Sequence, residues 1–104
     1  MDNFTGSESG ATQENTQGKI SWDKTTEEQF KRMIEKIPVF LRGIAEKKVS
    51  QKAERIVREE KRREIFEKDM VDAFFAETPP AFREAMKSGM QELGIDYTKY
   101  GYAK

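Results

Sequence analysis

The chain has 104 residues, of which 36% are hydrophobic and 37% are charged, so it has room for one small domain with a thin core. Nineteen basic and nineteen acidic residues give a formal net charge of zero. Cysteine and histidine are both absent, which excludes iron–sulfur clusters, Cys/His zinc sites and Cys–His or Ser–His catalysis. We therefore expect no cofactor, no metal and no autonomous enzyme activity.

The composition also bears on the compartment. No apolar run approaches the roughly 18 residues of a membrane span, and the first residues lack the basic and apolar regions of a secretion signal. Without cysteine, nothing points to an oxidising compartment. The sequence predicts a cytoplasmic protein that makes no membrane contact.

The charges are unevenly distributed along the chain. Residues 1–30 carry a net charge of −4, residues 31–63 carry +7, and residues 64–104 carry −3. A basic middle between acidic ends can attract an anionic partner, but it can also be neutralised within the fold.

The first twenty residues are rich in Gly, Ser, Thr, Asn and Gln and contain few hydrophobic residues. Such a segment cannot bury enough apolar surface to offset the entropy lost on ordering. The sequence therefore predicts a disordered tail over residues 1–20.

The first helix is predicted over residues 26–36. Thr25 and Glu28 have the spacing of a capping box, in which each side chain binds a free amide of the first turn. Trp22 lies just ahead and is expected to pack over an apolar stripe at helical spacing, formed by Phe30, Met33, Ile34 and Ile37.

The second and longest helix is predicted to begin at Pro38, which also ends the first helix, and to reach about residue 61. Its buried stripe steps by four residues through Leu41, Ala45, Val49, Ala53 and Val57. The stripe is widened by Phe40, Ile44 and Ile56, and Phe40 is expected to be a core residue.

Two shorter helices follow. Ile65 and Phe66 are predicted to form an extended connector before a helix over residues 67–75, with Phe75 partly exposed or packed elsewhere. Its buried side comprises Met70, Ala73 and Phe74. Pro79 and Pro80 mark a break and a new helix start, and the fourth helix has an apolar repeat at Phe82, Ala85/Met86, Gly89/Met90 and Leu93.

The end of the fourth helix also has a sequence signal. Gly94 is placed as the left-handed residue that ends this helix, and Ile95 can fold back on its last turn. These elements predict an all-α fold: a small single domain of about four helices, with residues 21–76 forming three helices. Residues 77–104 add the fourth helix and a tyrosine-rich tail.

The best polar candidate for a binding site is a basic strip on the second helix. Lys48, Lys52 and Arg55 share one helical face, and Arg42 lies about two turns earlier. Such a strip can bind a carboxylate, a nucleic-acid phosphate or an acidic protein surface. The competing interpretation is a solvated face paired with nearby acids, which is common on small helical domains.

The tail carries all three tyrosines, Tyr97, Tyr100 and Tyr102. Their rings can stack on a planar ligand. The favoured alternative is that the tail docks on the core or stays mobile.

Residues 21–76 contain a series of short motifs. In chain order they are Trp22, Ile37-Pro38-Val39-Phe40-Leu41-Arg42, Lys47-Lys48-Val49, Lys52-Ala53, Glu64-Ile65 and Val71-Asp72-Ala73. In this order, residues 21–76 resemble the C-terminal helical domain of the B subunit of light-independent protochlorophyllide reductase, a family that includes stand-alone members. Lys61-Arg62 replaces the family's His-Gly turn, and Phe66 replaces its capping Thr.

The resemblance implies a non-catalytic accessory domain, because the cluster and the reducing chemistry of that nitrogenase-like enzyme belong to other parts of its polypeptides. It implies a protein partner, such as a nitrogenase-like reductase subunit, with a tetrapyrrole as a further candidate ligand. The alternative is a nucleic-acid-binding helical module using the basic second helix. The pI of about 6.4 and the lack of a glycine in the turn before Pro38 disfavour nucleic acid.

Overall fold

Four α-helices make up most of residues 19–104, the part of the chain that the computed structural model describes. They are α1 (Lys24–Glu35), α2 (Val39–Glu59), α3 (Glu67–Glu77) and α4 (Arg83–Glu92). Residues 1–18, where the sequence predicts a disordered tail, lie outside the described residues. The predicted all-α class is confirmed, and none of the described helices is long and apolar enough to cross a membrane.

Helix α1 begins two residues earlier than predicted, and Thr25 is not its cap. Asp23 is the capping residue, and its Oδ2 accepts hydrogen bonds from the Thr26 amide at 3.0 Å and the Thr26 hydroxyl at 2.9 Å. Glu28, expected to reach back to the cap, instead forms an exposed ion pair with Arg32. Aspartate is at least as good a cap as threonine, and here it satisfies two donors at once.

A short parallel pairing joins the segment before α1 to the segment before α3. Strand β1 (Ser21–Trp22) lies beside strand β2 (Glu64–Ile65), with Trp22 opposite Ile65. The Ser21 amide donates to the Arg63 carbonyl at 2.9 Å, and the Asp23 amide donates to the Ile65 carbonyl at 3.0 Å. The extended connector predicted at Ile65 is therefore confirmed, and it anchors the start of α1.

Helix α2 buries less of its predicted stripe than expected. Val49, Ala53 and Val57 are buried, and no residue of α2 before Val49 is fully buried. Phe40 and Ile44, predicted to widen the buried stripe, are exposed. The prediction was wrong for these two because they lie on the opposite side of α2 from Ala53. The nine steps from Ile44 to Ala53, at roughly 100° each, amount to about two and a half turns, so the two residues lie on opposite sides of the helix.

The corner between α1 and α2 is closed by Arg42. Its Nε donates to the Ile37 carbonyl at 2.8 Å, and its Nη2 donates to the Glu35 carbonyl at 2.7 Å. Carbonyls at the end of a helix have no partner within that helix, so the guanidinium caps α1. Pro38 stands at the N-cap of α2, immediately before the first helical residue.

Helix α2 ends in a Schellman turn without glycine. Lys61 occupies the left-handed position with φ of 59°, and its amide donates to the Arg58 carbonyl at 2.9 Å. The next amide, that of Arg62, donates to the Val57 carbonyl at 2.9 Å. This hydrogen-bond pattern usually places glycine where Lys61 stands, because a Cβ is strained at positive φ.

The turn directs Arg62 onto Asp69, a buried carboxylate of α3. Arg62 Nη2 lies 2.6 Å from Asp69 Oδ1, and Nη1 lies 3.2 Å from Oδ2. Asp69 also accepts from the Phe66 amide at 2.9 Å, so the start of α3 is capped although Phe66 has no polar side chain. Hydrogen bonds to Asp69 and then Glu60 hold the pKa of Arg62 above its usual value.

The core forms where these elements meet. Trp22 stacks on Phe30, with ring centroids 4.7 Å apart. Phe75 is buried because the tail folds over it, so the second of its two predicted environments, packing elsewhere, is the one observed. One cluster collects residues from α1 to α4 and the tail: Phe30, Met33, Ile34, Val49, Ala53, Val57, Ile65, Met70, Val71, Ala73, Phe74, Phe75, Met86, Met90, Ile95 and Tyr97.

Helix α4 ends as predicted but begins later. Gly94 has φ of 75°, and the Ile95 amide donates to the Met90 carbonyl at 2.9 Å, which folds Ile95 back into the core. Phe82, predicted to belong to the apolar repeat, is exposed because it lies in the separate 3-10 turn Pro80–Phe82.

The left-handed Lys61 gives a direct stability test. We expect Lys61→Gly to raise the free energy of unfolding by about 1 kcal/mol, because it removes the Cβ strain at positive φ. Urea unfolding of both proteins measures the change. Lys61→Ala is the control, since it removes the charge and keeps the Cβ; equal stabilisation by both variants would contradict the backbone explanation.

Candidate functional site

The structure does not bring the four residues of the predicted basic strip together. Arg42 is turned toward the end of α1, where it binds two backbone carbonyls. Lys48 is six positions after Arg42, which places the two side chains roughly 120° apart around the helix. Arg42 is therefore a corner residue of the fold rather than a neighbour of the other three.

Lys48, Lys52 and Arg55 do share a side of α2. Lys48 is exposed and Lys52 is half-buried. Within the described part of the chain, no carboxylate forms an ion pair with either lysine, whereas Arg55 Nη2 lies 4.0 Å from Glu77 Oε2. The prediction that nearby acids neutralise this face holds only for Arg55.

Sequence reasoning missed an apolar surface on the same helix. Phe40 is 81% exposed, Ile44 is 59% exposed, and the adjacent Val39 is 74% exposed. Phe40 and Ile44 are one turn apart on the side of α2 that faces away from the core. The signal was present in the sequence, because both residues lie off the stripe of Val49, Ala53 and Val57.

The apolar pair continues directly into basic and polar residues. All of them are exposed and lie on the side of α2 opposite the buried stripe. We call this surface the α2 outer face, and it comprises Phe40, Ile44, Lys47, Lys48, Gln51 and Arg55. It is apolar at the N-terminal end of the helix and basic toward the middle.

The tyrosine tail docks on α3, as the favoured interpretation predicted. The Tyr102 hydroxyl donates to Asp72 Oδ1 at 2.6 Å, and its ring stacks on Phe75 with centroids 3.9 Å apart. The Tyr100 hydroxyl donates to Glu67, which also accepts from Gln29 Nε2 at 2.9 Å. Because Tyr97 is buried and Tyr102 is stacked on Phe75, the tail does not present a free row of rings to a planar ligand.

These contacts shift the pKa values of the groups involved. Burial alone would raise the pKa of Glu67, but hydrogen bonds from Tyr100 and Gln29 and the charge of Lys99 leave it below its usual value. Burial and the hydrogen bond to Asp72 raise the pKa of Tyr102 to about 12. The pKa of Tyr100 is raised too, through burial and then its bond to Glu67.

The described residues contain no cluster of three or more carboxylates arranged to hold a metal ion. The α2 outer face combines exposed apolar residues with exposed basic residues, so it can offer a partner both apolar contact and positive charge.

The exposure of Phe40 predicts a contrast with a buried phenylalanine. We expect Phe40→Ala to change the free energy of unfolding by less than about 0.5 kcal/mol, as at other exposed positions. Phe74→Ala should cost about 3–5 kcal/mol because it leaves a cavity in the core. Urea unfolding of both variants tests this, and a similar large loss for both would mean that Phe40 is packed in the core.

The raised pKa values predict instability at high pH. The contribution of a tyrosine whose folded pKa is raised is fully present below its unfolded pKa of about 10 and is lost as pH rises through the folded value, about 12 for Tyr102. Near neutral pH, we expect the Tyr102→Phe variant to have a lower free energy of unfolding than the unsubstituted protein. Between pH values of about 10 and about 12, the variant should lose less of its free energy of unfolding than the unsubstituted protein does. Parallel slopes for the two proteins in that window would contradict the Tyr102–Asp72 bond.

Comparisons with known proteins give a family but no activity. No curated protein and no solved structure matches the chain. Residues 13–103 match the model of a family described as a protein of unknown function, DUF2621. Since the match covers most of the sequence, the chain belongs to the DUF2621 family.

Proposed function

We propose that the chain is a non-catalytic interaction domain that docks on a partner protein through the α2 outer face. The observation that carries the proposal is the exposure of Phe40 (81%) and Ile44 (59%) one turn apart on a helix face that the core does not cover. Scattered apolar residues are normal on a surface, but an aromatic and an aliphatic residue in contact range on one helix form an anchor.

The energetics favour such an anchor. A fully exposed phenylalanine gains about 1.5–3 kcal/mol on complete burial, and Ile44 adds a comparable amount. Binding energy at protein interfaces is concentrated in a few such residues that fill pockets on the partner. Phe40 and Ile44 therefore suffice as the centre of a docking site with a polar rim.

The charges of the α2 outer face indicate what kind of partner surface would fit it. Lys47 and Lys48 follow Ile44 on the outer face, and neither forms an ion pair within the described residues. A partner with an apolar groove and acidic residues at one end would complement both parts of the surface. A second copy of the chain fits less well, since antiparallel pairing would place the lysines of each copy beside the anchor of the other.

The resemblance to the reductase domain suggests the kind of partner. A catalytic subunit of a nitrogenase-like reductase, in the cytoplasm, would use this chain as an accessory piece. A tetrapyrrole carboxylate bound in such a complex could be met by Lys48 and Lys52. The resemblance supports both the reductase subunit as a partner and the tetrapyrrole as a ligand.

A nucleic-acid-binding role is the alternative. Nucleic-acid binding would use Lys47, Lys48, Lys52 and Arg55. It would not explain why the apolar side chains of Phe40 and Ile44 are exposed beside them. Glu54 and Glu59 on the same helix would repel a phosphate backbone, so we favour the protein partner.

Site-directed photo-crosslinking in the native host tests the docking surface. A crosslinker at position 40 should yield a defined partner, and one at position 82 should not. Phe82 is the matched control because it too is an exposed phenylalanine. The captured protein is then purified, and its affinity for the Phe40→Ala and Phe82→Ala variants is compared.

We expect Phe40→Ala to weaken that complex by about tenfold or more and Phe82→Ala to leave it unchanged. Equal effects of the two variants would contradict docking through the outer face. Titration of labelled DNA and of a carboxylated porphyrin at moderate salt separates the alternatives. Tight DNA binding that falls steeply with salt and is insensitive to Phe40→Ala would favour the nucleic-acid role.

A further inference from the structure

A cavity of about 350 Å³ lies between α3, α4 and the C-terminal segment, away from the α2 outer face. Its lining combines a stacked aromatic pair with charged groups: Asp72, Phe75, Arg83, Lys87 and Tyr102. The volume is at the lower end of the roughly 300–1,000 Å³ range typical of small-molecule sites.

The Arg83 guanidinium at this cavity has hydrogen-bond donors that no acceptor among the described residues satisfies. Its Nη2 donates to the Phe75 carbonyl at 3.2 Å, which fixes the guanidinium. Its Nε is buried and has no hydrogen-bond partner among the described residues. Because Nε is closed to solvent, a ligand would meet the guanidinium at Nη1, which has no hydrogen-bond partner among the described residues.

Lys87 is one turn further along α4, so its side chain is on the same side of the helix as Arg83. The side chain is only 15% exposed, and its ammonium lies 3.8 Å from Glu84 Oε2, on a side chain that is 89% exposed. The ammonium also donates to the backbone oxygen of Lys104 at 3.3 Å. The Lys87 side chain is thus largely removed from water.

Asp72 does not neutralise this pair. One oxygen of Asp72 lies 2.7 Å from Lys68 Nζ, and the other accepts from the Tyr102 hydroxyl at 2.6 Å. With Asp72 paired to Lys68, Arg83 and Lys87 leave an excess of positive charge in the cavity.

We propose that this cavity binds a small oxyanion, a carboxylate or phosphate group, between Arg83 and Lys87. An oxyanion provides an acceptor for Arg83 Nη1 and a closer one for Lys87 Nζ, and hydrogen bonds between charged groups are the strongest of their kind. The oxyanion would replace the contact between Lys87 and the Lys104 oxygen. The Phe75–Tyr102 stack forms an apolar wall for the rest of the ligand, and the site is independent of the docking surface.

Nuclear magnetic resonance titration of the full chain tests the proposal. The probes are inorganic phosphate and benzoate at constant ionic strength, with chloride as the reference anion. We expect saturable shifts at Arg83, Lys87 and Tyr102 with at least one probe. The preferred probe distinguishes a phosphorylated ligand from an aromatic carboxylate.

The variants locate the site. Lys87→Gln should weaken binding by about tenfold, because it removes one charge-assisted hydrogen bond. Lys31→Gln removes an exposed charge from α1 and should have no effect. Lys87→Gln keeps the Arg83 bond to Phe75, so its folding can be checked by the unchanged spectrum of the core.

Absence of saturable shifts with both probes would overturn the proposal. An equal loss in Lys31→Gln and Lys87→Gln would overturn it as well, since it would show diffuse attraction to positive charge. Because neither result involves Phe40 or Ile44, it would leave the proposed docking function standing.

Discussion

The fold depends on the pairing of Arg62 with Asp69. Asp69 is only 3% exposed, so its charge is stable there only because the guanidinium and the Phe66 amide both bind it. Removing one member of a fully buried pair costs about 3–5 kcal/mol, and the cost here is smaller because the Arg62 side chain is 35% exposed. The pair joins the end of α2 to the start of α3, the two helices with the most extensive mutual contact.

Other features follow from that junction. The left-handed Lys61 reverses the chain and aims Arg62 inward, and Arg62 also donates to the Glu64 carbonyl at 3.2 Å. This holds β2 where it can pair with β1, and β1 is followed directly by Asp23, the cap of α1. A single turn without glycine thus sets the position of three helices.

Much of the fold could be predicted from the sequence, because helical periodicity and proline breaks are local signals. The four helices, the left-handed Gly94 and the returning Ile95 are examples. The sequence predicts Phe40 wrongly as a core residue and leaves two environments open for Phe75 for the same physical reason: periodicity shows that a residue is apolar and helical, but not whether another element covers it. The tail covers Phe75, and among the described residues nothing covers Phe40.

The candidate sites were predicted less well than the fold. Charge spacing indicated Lys48, Lys52 and Arg55, but Arg42 was assigned to the strip when it caps α1. The apolar half of the outer face was taken for core. The Arg83–Lys87 cavity depends on contacts between α3, α4 and the tail, and sequence spacing gives no such long-range geometry.

The parallel pairing of β1 with β2 also constrains the order of folding. Helices α2 and α3 are neighbours in sequence, so their hairpin can form with little loop-closure entropy, whereas Ser21 must find Glu64 across the whole of α1 and α2. We expect the helical hairpin to form first and the strand pair to close last. By the same reasoning β1 would be the first element to open in the native protein, so amide hydrogen exchange at Ser21 and Asp23 should be faster than at the buried centre of α3.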